Sequence, residues 1–154
     1  MNYKGTLTLK AEQLDVWEFV LDVDKFAACM PGVEELVMID DKTFDGVIRA
    51  KVGPMSGSFD FRAGIIESDP PNQLAAHVEG LDSMTKSTMT SDVSMTLSAG
   101  APGETELAYQ AVVNVRGRLA IIGDMVLRAT GAQMIEEIFQ RLRPRVENEP
   151  PDPV

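Results

Sequence analysis

One cysteine, one histidine and one tryptophan are all that this 154-residue chain carries of those residue types. Cys29 alone excludes an intramolecular disulfide and any cysteine-rich zinc site. It sits in a short helical stretch with nothing obvious to lower its pKa, and it reads as a buried structural thiol. His77 alone cannot anchor a Ser-His-Asp triad, since it lies opposite the inferred inner face of its strand. No cysteine or paired carboxylates stand near it at ligand spacing, so it reads as a solvated strand residue rather than a general base. Cations are also scarce: 14 Lys and Arg against 24 Asp and Glu leave a formal charge of −10. That balance argues against nucleic-acid binding and against general adsorption to anionic membranes. No apolar run approaches the roughly 20 residues needed to span a bilayer. The polar N-terminus lacks the apolar core of a signal peptide, so a cytoplasmic protein is expected. Neither a GxGxxG nor a P-loop motif occurs, and no cofactor or metal is expected. The near pairs Asp22/Asp24 and Glu34/Glu35 are explained by helix capping and solvated turns.

What is present is a series of alternating segments. Residues 3–10 place Leu7 and Leu9 on one face of a first strand. Residues 11–21 read as a helix with Leu14, Trp17 and Leu21 on its inner side. Asp22 or Asp24 caps a second short helix through Phe26 and Cys29, and Pro31-Gly32 stops it. Six strands follow. They run over 33–39, 44–52 (inner Phe44, Ile48, Ala50, Val52) and 58–66 (inner Phe59, Phe61, Ala63, Ile65). The next pass through Leu74, Ala76 and Val78, through 85–97 (inner Met89, Val93, Met95, Leu97), and through Leu107 to Val115. Turns at Asp40-Asp41-Lys42, Gly53-Pro54, Asp69-Pro70-Pro71-Asn72 and 99–103 separate them. Short turns between consecutive strands imply an antiparallel meander, and one-sided alternation implies that one face is covered.

Only one segment is long enough to cover that face, residues 117–142. Leu119, Ile122, Val126 and Ala129 form an apolar stripe that predicts burial. Met134, Ile135, Ile138, Phe139 and Leu142 form a second arc on a rotated face, so a bend or a change of neighbour is expected near Gly131. Gly123, Ala129 and Gly131 are small where a tightly packed helix carries Leu or Ile. Such residues either allow close packing or leave room for a ligand. The expected fold is therefore α+β. A curved antiparallel sheet of about seven strands grips a long C-terminal helix, with two short helices after the first strand. Residues 1–146 make a single domain, and 147–154 form a short disordered, acidic, proline-rich tail.

Four motifs carry a resemblance: Phe26-Ala-Ala-Cys-Met-Pro-Gly-Val, Lys51-Val-Gly-Pro-Met-Ser-Gly-Ser-Phe, Glu67-Ser-Asp-Pro-Pro and Gly117-Arg-Leu-Ala-Ile-Ile-Gly. In this order, over about residues 3–143, the chain resembles the carbon monoxide dehydrogenase G-subunit (CoxG) family of the START-like, helix-grip superfamily. The resemblance implies a non-enzymatic accessory protein of a molybdenum-hydroxylase system, a role in membrane recruitment or electron transfer to quinone, and peripheral contact with the membrane. Two departures stand out. Where some relatives carry an anchoring segment, this chain reads Arg141-Leu-Arg-Pro-Arg-Val and an acidic, proline-rich stretch, so anchoring by that route is not expected, and residues 80–92 are not glycine-rich.

The residues then define a candidate cavity for an apolar or amphipathic molecule, quinone- or lipid-like, between sheet and long helix. Its walls are Phe59, Phe61, Ala63, Met89, Val93, Tyr109, Val113, Ile122, Val126 and Ala129, with Phe26 and Met30 near the mouth. Tyr109 offers an inward hydroxyl that can orient a carbonyl. Nine methionines suit an adaptable pocket, or simply fill a core. Arg116 and Arg118 at the head of the helix oppose its dipole and hint at an anionic partner. Ile121 and Met125 are apolar on the outer side and suggest a membrane or protein contact. The competing readings are a protein-docking module with a filled core and, behind it, a cyclase or hydrolase.

Overall fold

The computed structural model describes residues 1–147. Alternation becomes a seven-stranded sheet built from β1 (Asn2–Leu9), β2 (Val33–Met38), β3 (Thr43–Val52), β4 (Met55–Asp69), β5 (Gln73–Asp82), β6 (Ser87–Ala99) and β7 (Thr105–Arg116). The order β1-β7-β6-β5-β4-β3-β2 is a meander from β2 to β7, with β1 completing the far edge. All pairs are antiparallel, as the short turns require. Register shifts between Glu34 and Val37 and between Ile65 and Glu67 add the twist that lets the sheet curve. Asp40 Oδ1 accepts from the Lys42 amide at 2.9 Å, and the Asn72 amide donates to the Asp69 carbonyl at 2.7 Å, closing two of the expected turns.

Two short helices cross one end of the sheet, α1 (Gln13–Leu21) and α2 (Val23–Ala27). Asp22 caps α2, its carboxylate accepting from the Lys25 amide at 3.1 Å. The inner side of α1 differs from the expected one. Val16, Trp17 and Phe19 are buried, whereas Leu14 and Leu21 are exposed. The helix is gripped on two sides, which rotates its buried arc. Val16 and Trp17 meet Leu9, Leu97 and Leu107 of the sheet, while Phe19 meets Cys29 and Leu142.

The long C-terminal segment is also not one helix. A 3-10 turn at Arg118–Ile122 ends at Gly123, whose φ of 108° breaks the screw, and only then does α3 (Asp124–Glu147) begin. The stripe inferred for a continuous helix is thereby split. Leu119 is buried, Ile122 is half-buried, and Val126 and Ala129 are exposed. The change of neighbour near Gly131 is present. Leu127 packs with the Val52, Phe59 and Leu119 cluster, Gly131 lies against Tyr3, and Leu142 joins Phe19 and Cys29. α3 runs on through Pro144, past the expected end at 142 and into Glu147. Tertiary bonds hold that last turn: Arg143 Nη1 donates to the Thr8 carbonyl at 2.8 Å, and the Lys10 amide donates to Glu147 Oε2 at 2.8 Å. The remainder of the expected tail, 148–154, lies outside the described residues. Among the described residues, no helix is long and apolar enough to cross a membrane.

Candidate functional site

The strand registers set out the concave face row by row. At one end, Val52, Phe59 and Leu119 form a buried cluster, with Ile48, Met55, Met89, Val115, Ile122 and Leu127 packed around it. At the other end, Leu9, Val16, Trp17, Met95, Leu97 and Leu107 form a second cluster. Between them the floor changes character. One row runs Ala63–Val78–Ser91–Val113, and the next runs Ile65–Ala76–Val93–Ala111–Tyr3. Small side chains dominate these rows. Val93, on the same face as buried Met95 and Leu97, is still 36% exposed.

The roof is equally incomplete. Of the 24 residues of α3, only Leu142 is buried. The helix is held at intervals instead. Near its start Val126 and Ile122 approach Gly53. Farther along, the Tyr3 hydroxyl donates to the Arg128 carbonyl at 3.1 Å, and a side chain on Gly131 would collide with that phenol. Close packing, rather than space for a ligand, thus explains this glycine. Burial raises the Tyr3 pKa, a rise that the nearby Arg128 partly opposes. Beyond Tyr3 a cleft of about 560 Å³ opens between sheet and helix, within the usual size of small-molecule sites. Tyr109, Ala132, Ile135 and Phe139 form its apolar walls, and Glu136, Gln140 and Arg143 its polar margin. The Tyr109 and Phe139 rings meet at 5.0 Å between centroids, tilted by 50°.

The residues expected to line a cavity therefore fall into separate groups. Phe59, Met89 and Ile122 are packed into the end cluster, whereas Phe61, Ala63, Val93 and Val113 lie on the middle floor. Tyr109 lines the cleft, with its hydroxyl over Gly5 at the β1 edge. Val126 stands beside Gly53, and Ala129 is exposed on the helix. Phe26 and Met30 are half-buried on either side of fully buried Cys29, by the last turns of α3. Burial pushes the Cys29 thiol up, against the opposing effect of Arg145. Sequence reasoning missed Ala111, Ser91, Ala132 and Ile135 as lining residues. Their signal was present as small or apolar residues in phase with Tyr109 and Phe139.

A larger depression of about 690 Å³ lies on the opposite, outer face, over Val47, Leu81, Thr88 and Thr90. Like the cleft at Tyr109, it is open to solvent. The same face carries His77, outward as expected, and two carboxylates that were not expected to pair on it. Nδ1 lies 2.6 Å from Asp92 Oδ1 across the strand pair, and Nε2 lies 3.2 Å from Glu79 Oε1. Hydrogen bonds to Asp92 and then Glu79 raise the His77 pKa. Among the described residues, no group of histidine, cysteine and carboxylate side chains is arranged to hold a metal.

At the end of the sheet near Gly117, backbone geometry builds a tip. Gly117 has φ 93° and presses on the Lys86 carbonyl, where any Cβ would clash. The Leu119 amide donates to Ser87 Oγ at 2.9 Å, tying the 3-10 turn to the β5–β6 turn. Burial raises the Asp82 carboxyl in that turn. Bonds from the Ser58, Met84 and Thr85 amides outweigh this and hold it below the usual range. Ile121 (82%), Met125 (84%) and Met84 (87%) protrude from this end.

The sequence model of the carbon monoxide dehydrogenase G subunit (CoxG) matches residues 5–147, nearly all of the chain. The chain belongs to that family. No curated protein sequence matches this CoxG family member. Among solved structures, a conserved protein from Geobacillus kaustophilus is similar at TM-score 0.88 and 19% identity, over 97% of each chain. A START superfamily protein from Mycobacterium smegmatis matches at TM-score 0.74 and 13% identity, over 96% of this chain and 98% of that one. Zhui aromatase/cyclase from Streptomyces sp. R1128 matches at 0.69 and 16%, over 97% and 94%. At these identities the structures establish the START-like fold alone, and one fold hosts binders and enzymes alike.

Proposed function

We propose that this CoxG family member is a non-enzymatic accessory protein of a molybdenum-hydroxylase system. It holds an apolar or amphipathic molecule, quinone- or lipid-like, between the sheet and α3. The observation that carries the reading is the contrast between a 24-residue covering helix that buries only Leu142 and the apolar floor beneath it. Val93, Val113, Phe61 and Ala63 would then contact the ligand's apolar body. Binding free energy would come from removing apolar area from water at about 25 cal/mol per Å², reduced by ordering and desolvation. The single histidine sits on the outer face, so the concave middle has no imidazole base to offer a cyclase or hydrolase reaction.

Mass spectrometry of an organic extract from protein purified from its native host tests this reading. A stoichiometric quinone or lipid is the expected result. A clean extract, repeated after quinones and lipids are offered, would replace it with the docking-module reading.

The tip supports a second element of the proposal, peripheral contact with the inner face of the membrane. Ile121, Met125 and Met84 protrude beside Lys86, Arg116 and Arg118. No ion pair joins those three cations to a carboxylate among the described residues. Apolar side chains ringed by cations suit an anionic bilayer surface despite the overall negative charge.

A further inference from the structure

We infer that Ser91 is the polar anchor of the concave floor, and that the ligand lodges head-inward with an uncharged carbonyl on its hydroxyl. This rests on the carrier reading above and adds an orientation and a head-group class to it. Among the described residues, the buried polar side chains are those of Asp82, Ser87, Ser91 and Thr105. All but one have structural partners. Asp82 accepts from the Ser58, Met84 and Thr85 amides, Ser87 Oγ accepts from the Leu119 amide, and Thr105 Oγ1 donates to the Ala11 carbonyl at 2.7 Å. Ser91 is the exception. It is 8% exposed, and its hydroxyl has no hydrogen-bond partner among the described residues. Among those residues no fully enclosed side-chain nitrogen or oxygen lacks a partner, so this oxygen is not enclosed. It opens onto the concave space.

The surroundings decide what can use it. Ser91 stands in the row Ala63–Val78–Ser91–Val113, with Met89 and Val93 on either side of it along the same face of β6. Val78 and Val113 are half-buried and Val93 is 36% exposed. One small hydroxyl is thus recessed among apolar side chains that remain accessible. The inward positions of β4 to β7, in phase with Phe59, Val78, Ser91 and Val113, include no lysine or arginine. A carboxylate or phosphate head laid on this floor would lose its hydration with no cation to offset the loss. A neutral carbonyl asks for one donor, which a serine hydroxyl supplies. The class that fits is an apolar body ending in an uncharged carbonyl, a ketone or quinone rather than a fatty acid or phospholipid.

Binding of methyl nonyl ketone, isotope-labelled at its carbonyl, compared with undecanoate at neutral pH tests both parts on the full chain. The ketone is expected to bind about tenfold more tightly than the carboxylate. Its infrared carbonyl band is expected to move to lower frequency on binding, as a hydrogen-bonded carbonyl does. Ser91→Ala is expected to weaken the ketone about fivefold and to abolish the band shift. Ser91→Thr keeps a hydroxyl and should keep the shift, and Ser94→Ala on the opposite face of β6 should change neither readout. An unshifted band in the wild-type protein, or an undiminished ketone affinity in Ser91→Ala, would overturn the anchor and leave the carrier reading intact. Undecanoate bound as tightly as the ketone would overturn the neutral head group. Failure of the wild-type protein to bind methyl nonyl ketone, undecanoate or decylubiquinone would overturn the anchor and the carrier reading together.

Discussion

Near α1, β6 and β7 contribute Leu97 and Leu107, each 2% exposed, to a closed core with Trp17 above them. A few residues along the same two strands, Val93 is 36% exposed and Val113 is half-buried. Alternation and chain direction are identical in both places, so strand pattern alone does not account for the difference. The covering layer does. At the closed end, two short helices and the last turns of α3 converge. Over the middle, one helix held at Tyr3 is the only cover among the described residues, and its nearby residues include Gly131 and Ala132. Packing is thus complete where three elements meet and looser at Val93 and Val113, although Ala63, Ser91 and Ala111 beside them are buried.

Substitutions can break this contrast in order of size. Leu97→Ala at the closed end is expected to cost about 2–5 kcal/mol in urea unfolding, whereas Val93→Ala is expected to cost less than about 1 kcal/mol. Equal losses would mean that the middle is as tightly filled as the end. Gly131→Leu forces a side chain onto the Tyr3 phenol and is expected to cost about 1–3 kcal/mol. Pairing it with Tyr3→Ala should recover most of that loss, because the collision partner is gone. Val93→Trp is expected to stay within about 1 kcal/mol of the parent, since Val93 is 36% exposed. A large destabilisation would show that the central gap is not there.

The surface variants are expected to be thermally silent. Ile121→Ser with Met125→Ser should leave Tm unchanged while reducing sedimentation with phosphatidylserine vesicles, and undiminished sedimentation would exclude the tip as the contact. The smallest effect is that of His77. Its pKa is raised by Asp92 and Glu79, so its contribution to stability is full below the unfolded value of about 6.5 and fades as pH rises through the folded one. The ring is more than a third exposed, so solvent screening keeps the effect small. NMR titration of His77 should show the raised pKa, and Asp92→Asn should lower it.

Much of this architecture follows from local pattern. Period-two alternation, Pro/Gly/Asp turns and a single long C-terminal apolar segment are near-neighbour properties. They specify a meander of strands, its inner face and the helix that must cover it. They equally put Phe61, Ala63, Val93, Val113 and Tyr109 on one face. Other features depended on elements remote in sequence. Val16 and Phe19 replaced Leu14 and Leu21 on the inner side of α1 because α3 and the sheet grip that helix from two directions. The close approach of Gly117 to the Lys86 backbone joins the 3-10 turn to the β5–β6 turn, and α3 starts only after Gly123. Asp92 reached His77 through cross-strand register, fifteen residues away, whereas Glu79 stands two residues along the same strand. Sequence by itself determined which surfaces are apolar, because that is a property of each residue in phase with its neighbours. Tertiary structure decided which of those surfaces touch and which stand apart, because a gap depends on the size and spacing of residues far apart along the chain.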